Sequence, residues 1–97
     1  MPLTKKQISY VRGKAHALHY TVTVGGSGLT DAVLGEIENT LSHHELIKIK
    51  ISSENRDIRD AVSREICQQT AAEYIQQIGK MLIIYRPGEK QKITLPA

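Results

Sequence analysis

The chain has no tryptophan and no phenylalanine, and its aromatic residues are four tyrosines among 97 positions. Proteins that stack bases on a sheet need aromatics at set strand positions, so an RRM-type platform is not expected here. Cysteine is nearly absent too. Cys67 stands alone, which excludes an intramolecular disulfide and suits a reducing compartment. No apolar run approaches the roughly 20 residues of a membrane span. The opening Met1-Pro2-Leu3-Thr4-Lys5-Lys6 leads into no apolar signal segment, so the expectation is a cytoplasmic protein with no membrane partner. There is no internal repeat, linker or low-complexity stretch. Residues 1–97 make one domain, able to bury roughly two-thirds of its unfolded surface.

Acid is missing where it would matter most. Residues 1–30 hold Lys5, Lys6, Arg12 and Lys14 and no Asp or Glu, whereas residues 31–73 hold nine acids against five bases. From Tyr74 onward the bases are Lys80, Arg86, Lys90 and Lys92, against Glu89 alone. A formal net charge of +3 says little by itself. Basic ends around an acidic middle suggest one surface that meets a polyanion and another that does not.

Local patterns give the elements. Thr4 followed by Gln7 reads as a capping box, and Leu3 with Ile8 as a hydrophobic staple, opening a helix through Ile8, Val11 and Ala15. Lys5, Lys6, Arg12 and Lys14 lie mainly off that stripe and are expected to be exposed. Residues 20–24 alternate and are β-branched, which predicts a strand. After Gly25-Gly26-Ser27-Gly28, a second helix is expected from Leu29 or Thr30 to His43, with Val33, Leu34, Ile37 and Leu41 inward. A glycine at position 35 in that helix suggests a close packing contact. Residues 47–51 alternate isoleucine with Lys48 and Lys50 and form the clearest strand. A third helix follows, its expected stripe being Ile58, Ala61, Val62 and Ile66. A strand over residues 74–78 and a tight connection at Gly79-Lys80 lead to the unbroken apolar run of residues 81–85, which suits a central strand. Ile93 and Leu95 are placed to dock the tail. The fold class is therefore α/β, a compact two-layer domain in α-β-α-β-α-β-β order on a four-stranded mixed sheet. Helices between the first three strands favour parallel pairing with right-handed crossovers, and the last two strands form a hairpin.

Chemistry-bearing patterns are few. The loop Gly25-Gly26-Ser27-Gly28 joins a strand to a helix N-terminus, where glycines allow close backbone approach and free amides favour phosphate. It is not a P-loop, since Leu29-Thr30 follow Gly28, nor a dinucleotide fingerprint, since Asp31 falls where a third glycine belongs. What remains is a G-x-x-G loop, of the kind that clamps nucleic-acid backbone, or a tight turn with no ligand. His16, His19, His43 and His44 lack the spacing and companion ligands of a metal site, so no metal and no cofactor are expected. Glu36 and Glu38, two apart on a helix, share no face for acid–base work. No catalytic residues and no small-molecule substrate are expected.

Several segments together resemble the YhbY family, the stand-alone bacterial form of the CRM domain (chloroplast RNA splicing and ribosome maturation). They are Val11-Arg12-Gly13-Lys14-Ala15-His16-Ala17-Leu18, Gly25-Gly26-Ser27-Gly28-Leu29-Thr30, Ile37-Glu38, His43-His44-Glu45-Leu46-Ile47-Lys48-Ile49-Lys50 and Ile78-Gly79-Lys80-Met81-Leu82-Ile83-Ile84-Tyr85-Arg86-Pro87. They occur in family order over nearly the whole chain. The resemblance implies a fold similar to the C-terminal domain of bacterial initiation factor three. It also implies RNA binding through the G-x-x-G loop and nearby basic residues, on precursors of the large ribosomal subunit. Many members carry lysine or arginine inside the loop where this chain has Gly26-Ser27, so the loop amides and the first helix must contribute more. The expected RNA-binding set is Gly25, Gly26, Ser27, Gly28, Lys5, Lys6, Arg12, Lys14, Lys48, Lys50 and Arg86. The partner the resemblance implies is ribosomal RNA, with ribosomal proteins as a second partner class to be tested. The alternative is a protein–protein adaptor that docks on ribosomal particles through the acidic second helix, with Glu36 and Glu38.

Overall fold

Hydrogen bonds at the helix starts fix where the elements begin. In the computed structural model, which describes residues 3–88 and 91–97, α1 spans Lys5–Ala15 behind Thr4. The Gln7 amide donates to the Thr4 hydroxyl at 3.1 Å, and the Thr4 amide donates to Gln7 Oε1 at 3.0 Å, so the capping box is complete. Leu3 and Ile8 pack into one apolar cluster, as the staple requires. β1 is short, Val22–Val24, because residues 20 and 21 lie outside it. α2 (Asp31–His44) is capped by Thr30, and α3 (Arg56–Thr70) by Asn55. Between them runs β2 (Leu46–Ile51), and β3 (Glu73–Ile78) turns at Gly79 into β4 (Met81–Tyr85).

The strand order is β1-β2-β4-β3. β1 and β2 are parallel, and β4 runs antiparallel to both neighbours. The first three strands thus point the same way, as the helical crossovers predict. The third does not pair with the second, however. Its hairpin partner β4 is inserted between them, and Leu82, Ile83 and Ile84 are buried there against both faces. The continuous apolar run of this strand fits that central place.

Layering corrects the two-layer expectation. Val22, Val24, Ile47, Ile49, Ile51, Leu82 and Ile84 face α2 and α3, joined by Ile37, Leu41 and Ile66. Leu46, Ile75, Ile83 and Tyr85 face the other way, against Val11 and Ala15 of α1. Helices therefore cover both faces, and the sheet is the middle of three layers. Full burial of a side chain such as Ile37 or Leu41 contributes about 1.5–3 kcal/mol before entropy is charged against it. The end of the chain joins the α1 layer: Ile93 and Leu95 pack on that cluster, and Gln7 Nε2 donates to the Pro96 carbonyl at 3.0 Å.

Two smaller expectations fail. Ile58 is 52% exposed and Ala61 is exposed, because α3 is turned so that Ser63, Ile66 and Thr70 face the sheet. Those two hydroxyls are tolerated inside because each donates to a carbonyl one turn back, Ser63 to Arg59 at 2.9 Å and Thr70 to Ile66 at 2.7 Å. Gly35 makes no close contact either. It is exposed, and a Cβ there would meet nothing within 4 Å.

Candidate nucleic-acid interface

The glycine loop hangs off the end of β1. The Gly28 amide donates to the Gly25 carbonyl at 3.0 Å, closing a turn with Gly26 and Ser27 at its tip, and Gly28 takes φ +77°. Only Gly28 therefore needs to be glycine for its backbone. At Gly25 and Gly26 φ is ordinary and a Cβ would meet nothing within 4 Å, so the fold does not require glycine at either position. Both lie exposed, beside the exposed Ser27. What their lack of a side chain provides is access to the backbone amides.

Topology brings positive helix ends to the same place. α2 leaves this loop directly, and α3 begins just beyond Ile51, the residue paired with Val24. The Ser52 amide donates to the Val24 carbonyl at 3.0 Å, which ties the two connections together. Two α-helical N-termini thus lie at the loop end of the sheet and favour negative charge, with Asp31 and Asp57 in their first turns offsetting part of that field.

The sheet face under α1 is only half covered. α1 crosses β2, β4 and β3 near the start of β2, over Leu46, Ile75, Ile83 and Tyr85. Nearer the loop, one row of paired residues runs across all four strands: Thr23, Lys50, Met81 and Ile78. Thr23 and Ile78 are exposed, and Lys50 and Met81 half-buried. Lys48 sits one step back on the same face. The two lysines thus lead from α1 towards the loop, their stems half-buried along the sheet.

On α1 itself Lys5, Lys6, Arg12 and Lys14 are all exposed, as expected. Among the described residues the ion pairs are Lys80–Glu54 at 2.6 Å and Arg86–Glu38 at 2.9 Å. None involves the cations of α1 or β2. Arg86 is different. Its guanidinium donates to Glu38, to the Thr70 carbonyl at 2.8 Å and to Ser42 at 3.3 Å, at the end of the sheet opposite the loop. The structure therefore places Lys48 and Lys50 on the sheet face between α1 and the loop end, and holds Arg86 as a brace between α2 and α3.

Burial, with help from the charge of Glu73, pushes the Cys67 thiol up to about 11, which favours its protonated form at neutral pH. Among the described residues no three His, Cys, Asp or Glu side chains cluster to hold a metal. His43 instead has Nδ1 2.8 Å from the Asn39 carbonyl, within its own helix.

Two residues escape the sequence patterns. Tyr20 is 45% exposed and its ring centroid is 5.5 Å from Lys50 Nζ. Its signal was an aromatic just ahead of an edge strand, hidden because a tyrosine there equally suits the strand. Glu45 is 1% exposed and takes φ 67° between α2 and β2. Its carboxylate accepts from the amides of Lys92 at 2.9 Å and Ile93 at 3.1 Å, and so straps the tail beneath α1. Burial, the largest influence on this carboxyl, raises it. The amides of Lys92, Ile93 and Gly88 and the Lys92 charge more than offset that, so it titrates below the usual 4.5.

Glycine loop, paired helix ends and an open cationic sheet face define a class of small α/β domain suited to meeting a polyanion. The chain belongs to the CRS1 / YhbY (CRM) domain family, which matches residues 3–86. It is 46% identical over 94 residues to an RNA-binding protein of Haemophilus influenzae, covering 97% of this chain and 95% of that one. It is 40% identical to a probable RNA-binding protein of Pseudomonas aeruginosa, over 98% of this chain and 91% of the relative. With the probable RNA-binding protein YqeI of Bacillus subtilis the identity is 30%, over 97% and 99%. Among solved structures, the solution structure of the hypothetical Staphylococcus aureus protein SAV1595 superposes with a TM-score of 0.84 at 34% identity, covering 97% of this chain and 99% of that one. These relatives are named for RNA binding and none of them for a reaction. No helix among the described residues is long and apolar enough to cross a membrane.

Proposed function

We propose that this chain binds ribosomal RNA in large-subunit precursors in the cytoplasm and assists their assembly, acting as one RNA-binding domain. The observation that carries the reading is the exposed Gly25–Gly28 turn, whose first two glycines the fold does not itself require, set beside two helix N-termini. In this reading the amides of the turn and the Ser27 hydroxyl meet phosphate oxygens, while Lys48 and Lys50 extend the contact to Lys5, Lys6, Arg12 and Lys14. RNA binding by the relatives supports the partner class. The adaptor reading loses ground because Glu38, half of its acidic docking face, is engaged by Arg86. Arg86 itself is a brace in this proposal and not a contact.

The test is fluorescence anisotropy with labelled large-subunit ribosomal RNA fragments. Ser27→Asp places a negative charge about 4 Å from a bound phosphate, worth about 1 kcal/mol in water, or about a fivefold loss of affinity. Ser27 is exposed, so thermal unfolding should be unchanged. Equal affinity of wild type and variant sinks the loop assignment. No wild-type binding at low salt sinks the RNA reading as a whole.

A further inference from the structure

Scarcity of aromatics argued for recognition of backbone without base stacking, but one well-placed ring is enough for one base. Tyr20 sits at the β1 edge of the open sheet face. Just behind it the Thr21 amide donates to the Lys48 carbonyl at 3.1 Å, so its backbone is anchored to β2. The ring belongs to neither apolar cluster and its hydroxyl has no hydrogen-bond partner among the described residues. It is 45% exposed, and the Lys50 ammonium stands 5.5 Å from its centroid. From Tyr20 the chain runs through β1 directly into the glycine turn, so ring, ammonium and loop amides succeed one another along one edge.

Ring and ammonium together offer places for one base and its adjoining phosphate, and the loop amides at the far end of the strand can meet a phosphate further along the same nucleic-acid strand. A positively charged groove with an exposed aromatic is the arrangement that takes unpaired bases, since every base has a π-face. A duplex offers phosphates to Lys50 and to the loop, but its bases are already stacked and unavailable to Tyr20. The cation beside the ring does not compete with this role. Lysine can pair with a phosphate while the ring carries the adjoining base.

We infer that Tyr20 stacks on an unpaired base next to the phosphate held by Lys50, so that the RNA met by this face is single-stranded. This rests on the RNA-binding reading above and specifies its substrate class.

The experiment compares wild type, Tyr20→Leu, Tyr20→Phe and Ser27→Asp for binding to one labelled single-stranded ribosomal RNA segment and to the same segment annealed to its complement. Tyr20→Leu should weaken binding of the single strand by about five- to a hundredfold and leave the duplex unchanged, whereas Tyr20→Phe keeps the ring and stays near wild type. Circular dichroism melts check that the variants are folded. Equal single-strand affinity of Tyr20→Leu and wild type overturns the stacking role, and if Ser27→Asp is still weakened, the RNA reading survives. Equal loss on single strand and duplex, or a wild-type preference for duplex, also overturns it. Wild type that binds neither RNA overturns both.

Discussion

Replacing both lysines of β2 together, Lys48→Gln with Lys50→Gln, should flatten the salt dependence of RNA binding without loosening the domain. The six cations of α1 and β2 enter no ion pair among the described residues, so each is available to a phosphate. In contact with a single strand each neutralised phosphate contributes about 0.7 to the slope of log Kd against log salt, giving about 4 for the full set. Affinity then falls by about 300-fold between about 50 and 200 mM salt. The double substitution takes about 1.4 from the slope and shrinks the fall over that window to about 50-fold. Glutamine retains much of the half-buried stem, so packing along the sheet is largely kept.

Arg86→Gln is the internal control. Its guanidinium is already bonded to Glu38, Thr70 and Ser42, so the slope should stay at its wild-type value. Stability should drop by about 1–3 kcal/mol, because the Thr70 carbonyl and Glu38 lose their donor. Anisotropy titrations over a salt series read the slopes, and urea unfolding reads the stability. An unchanged slope for the lysine pair, or an equal decrease for Arg86→Gln, refutes the assignment of charge to this face.

Other outcomes test the scaffold. Glu45→Gln should lower stability by about 2–3 kcal/mol, or roughly 10–20 °C in Tm, through weaker acceptance from the tail amides. Because the folded carboxyl titrates below the usual 4.5, its contribution is complete above that pH and disappears as pH falls through the folded value. Melts of wild type and Glu45→Gln should therefore converge in acid. Gly88→Ala brings a Cβ to 2.9 Å from Glu45 Oε2 and should also destabilise, but less than additively when combined with Glu45→Gln in a double-mutant cycle. Gly35→Ala, in open helical surroundings, should stabilise by about 0.8–1 kcal/mol, seen as a rise in Tm of about 4–8 °C.

What was legible in the sequence shares one property: the signal lies within a few residues. Thr4 with Gln7, the alternation around Lys48 and Lys50, and the apolar run of β4 each report a local preference that tertiary packing did not override. The central place of β4 was legible in its apolar run, but the strand it meets on the side away from β3 was not. The turn of α3 was misread because Ser63 and Thr70 look like surface residues until their hydroxyls bond back to the helix. For the site, the charges of α1 were correctly read as exposed, and the alternation of β2 correctly put Lys48 and Lys50 on one face. Arg86 looked equally free, because its partner Glu38 lies 48 residues away in the chain. Glu45 resembled an ordinary acid at a helix end, and nothing near it in sequence announces the amides that bury it.

The central position of β4 also governs when the protein can exist. A ribosome delivers this chain from the N-terminus, so β1, β2 and β3 emerge with no partner for β3 and with one edge of β2 bare. α1, made first, has no floor to lie on, because Ile83 and Tyr85 are part of that floor. Only when residues 81–85 have cleared the exit tunnel do both halves of the sheet join, and both apolar clusters gain their central strand in the same step. Folding during synthesis is therefore deferred to the last strand, and until then the emerging chain presents two unfinished edges to chaperones or to neighbouring nascent chains.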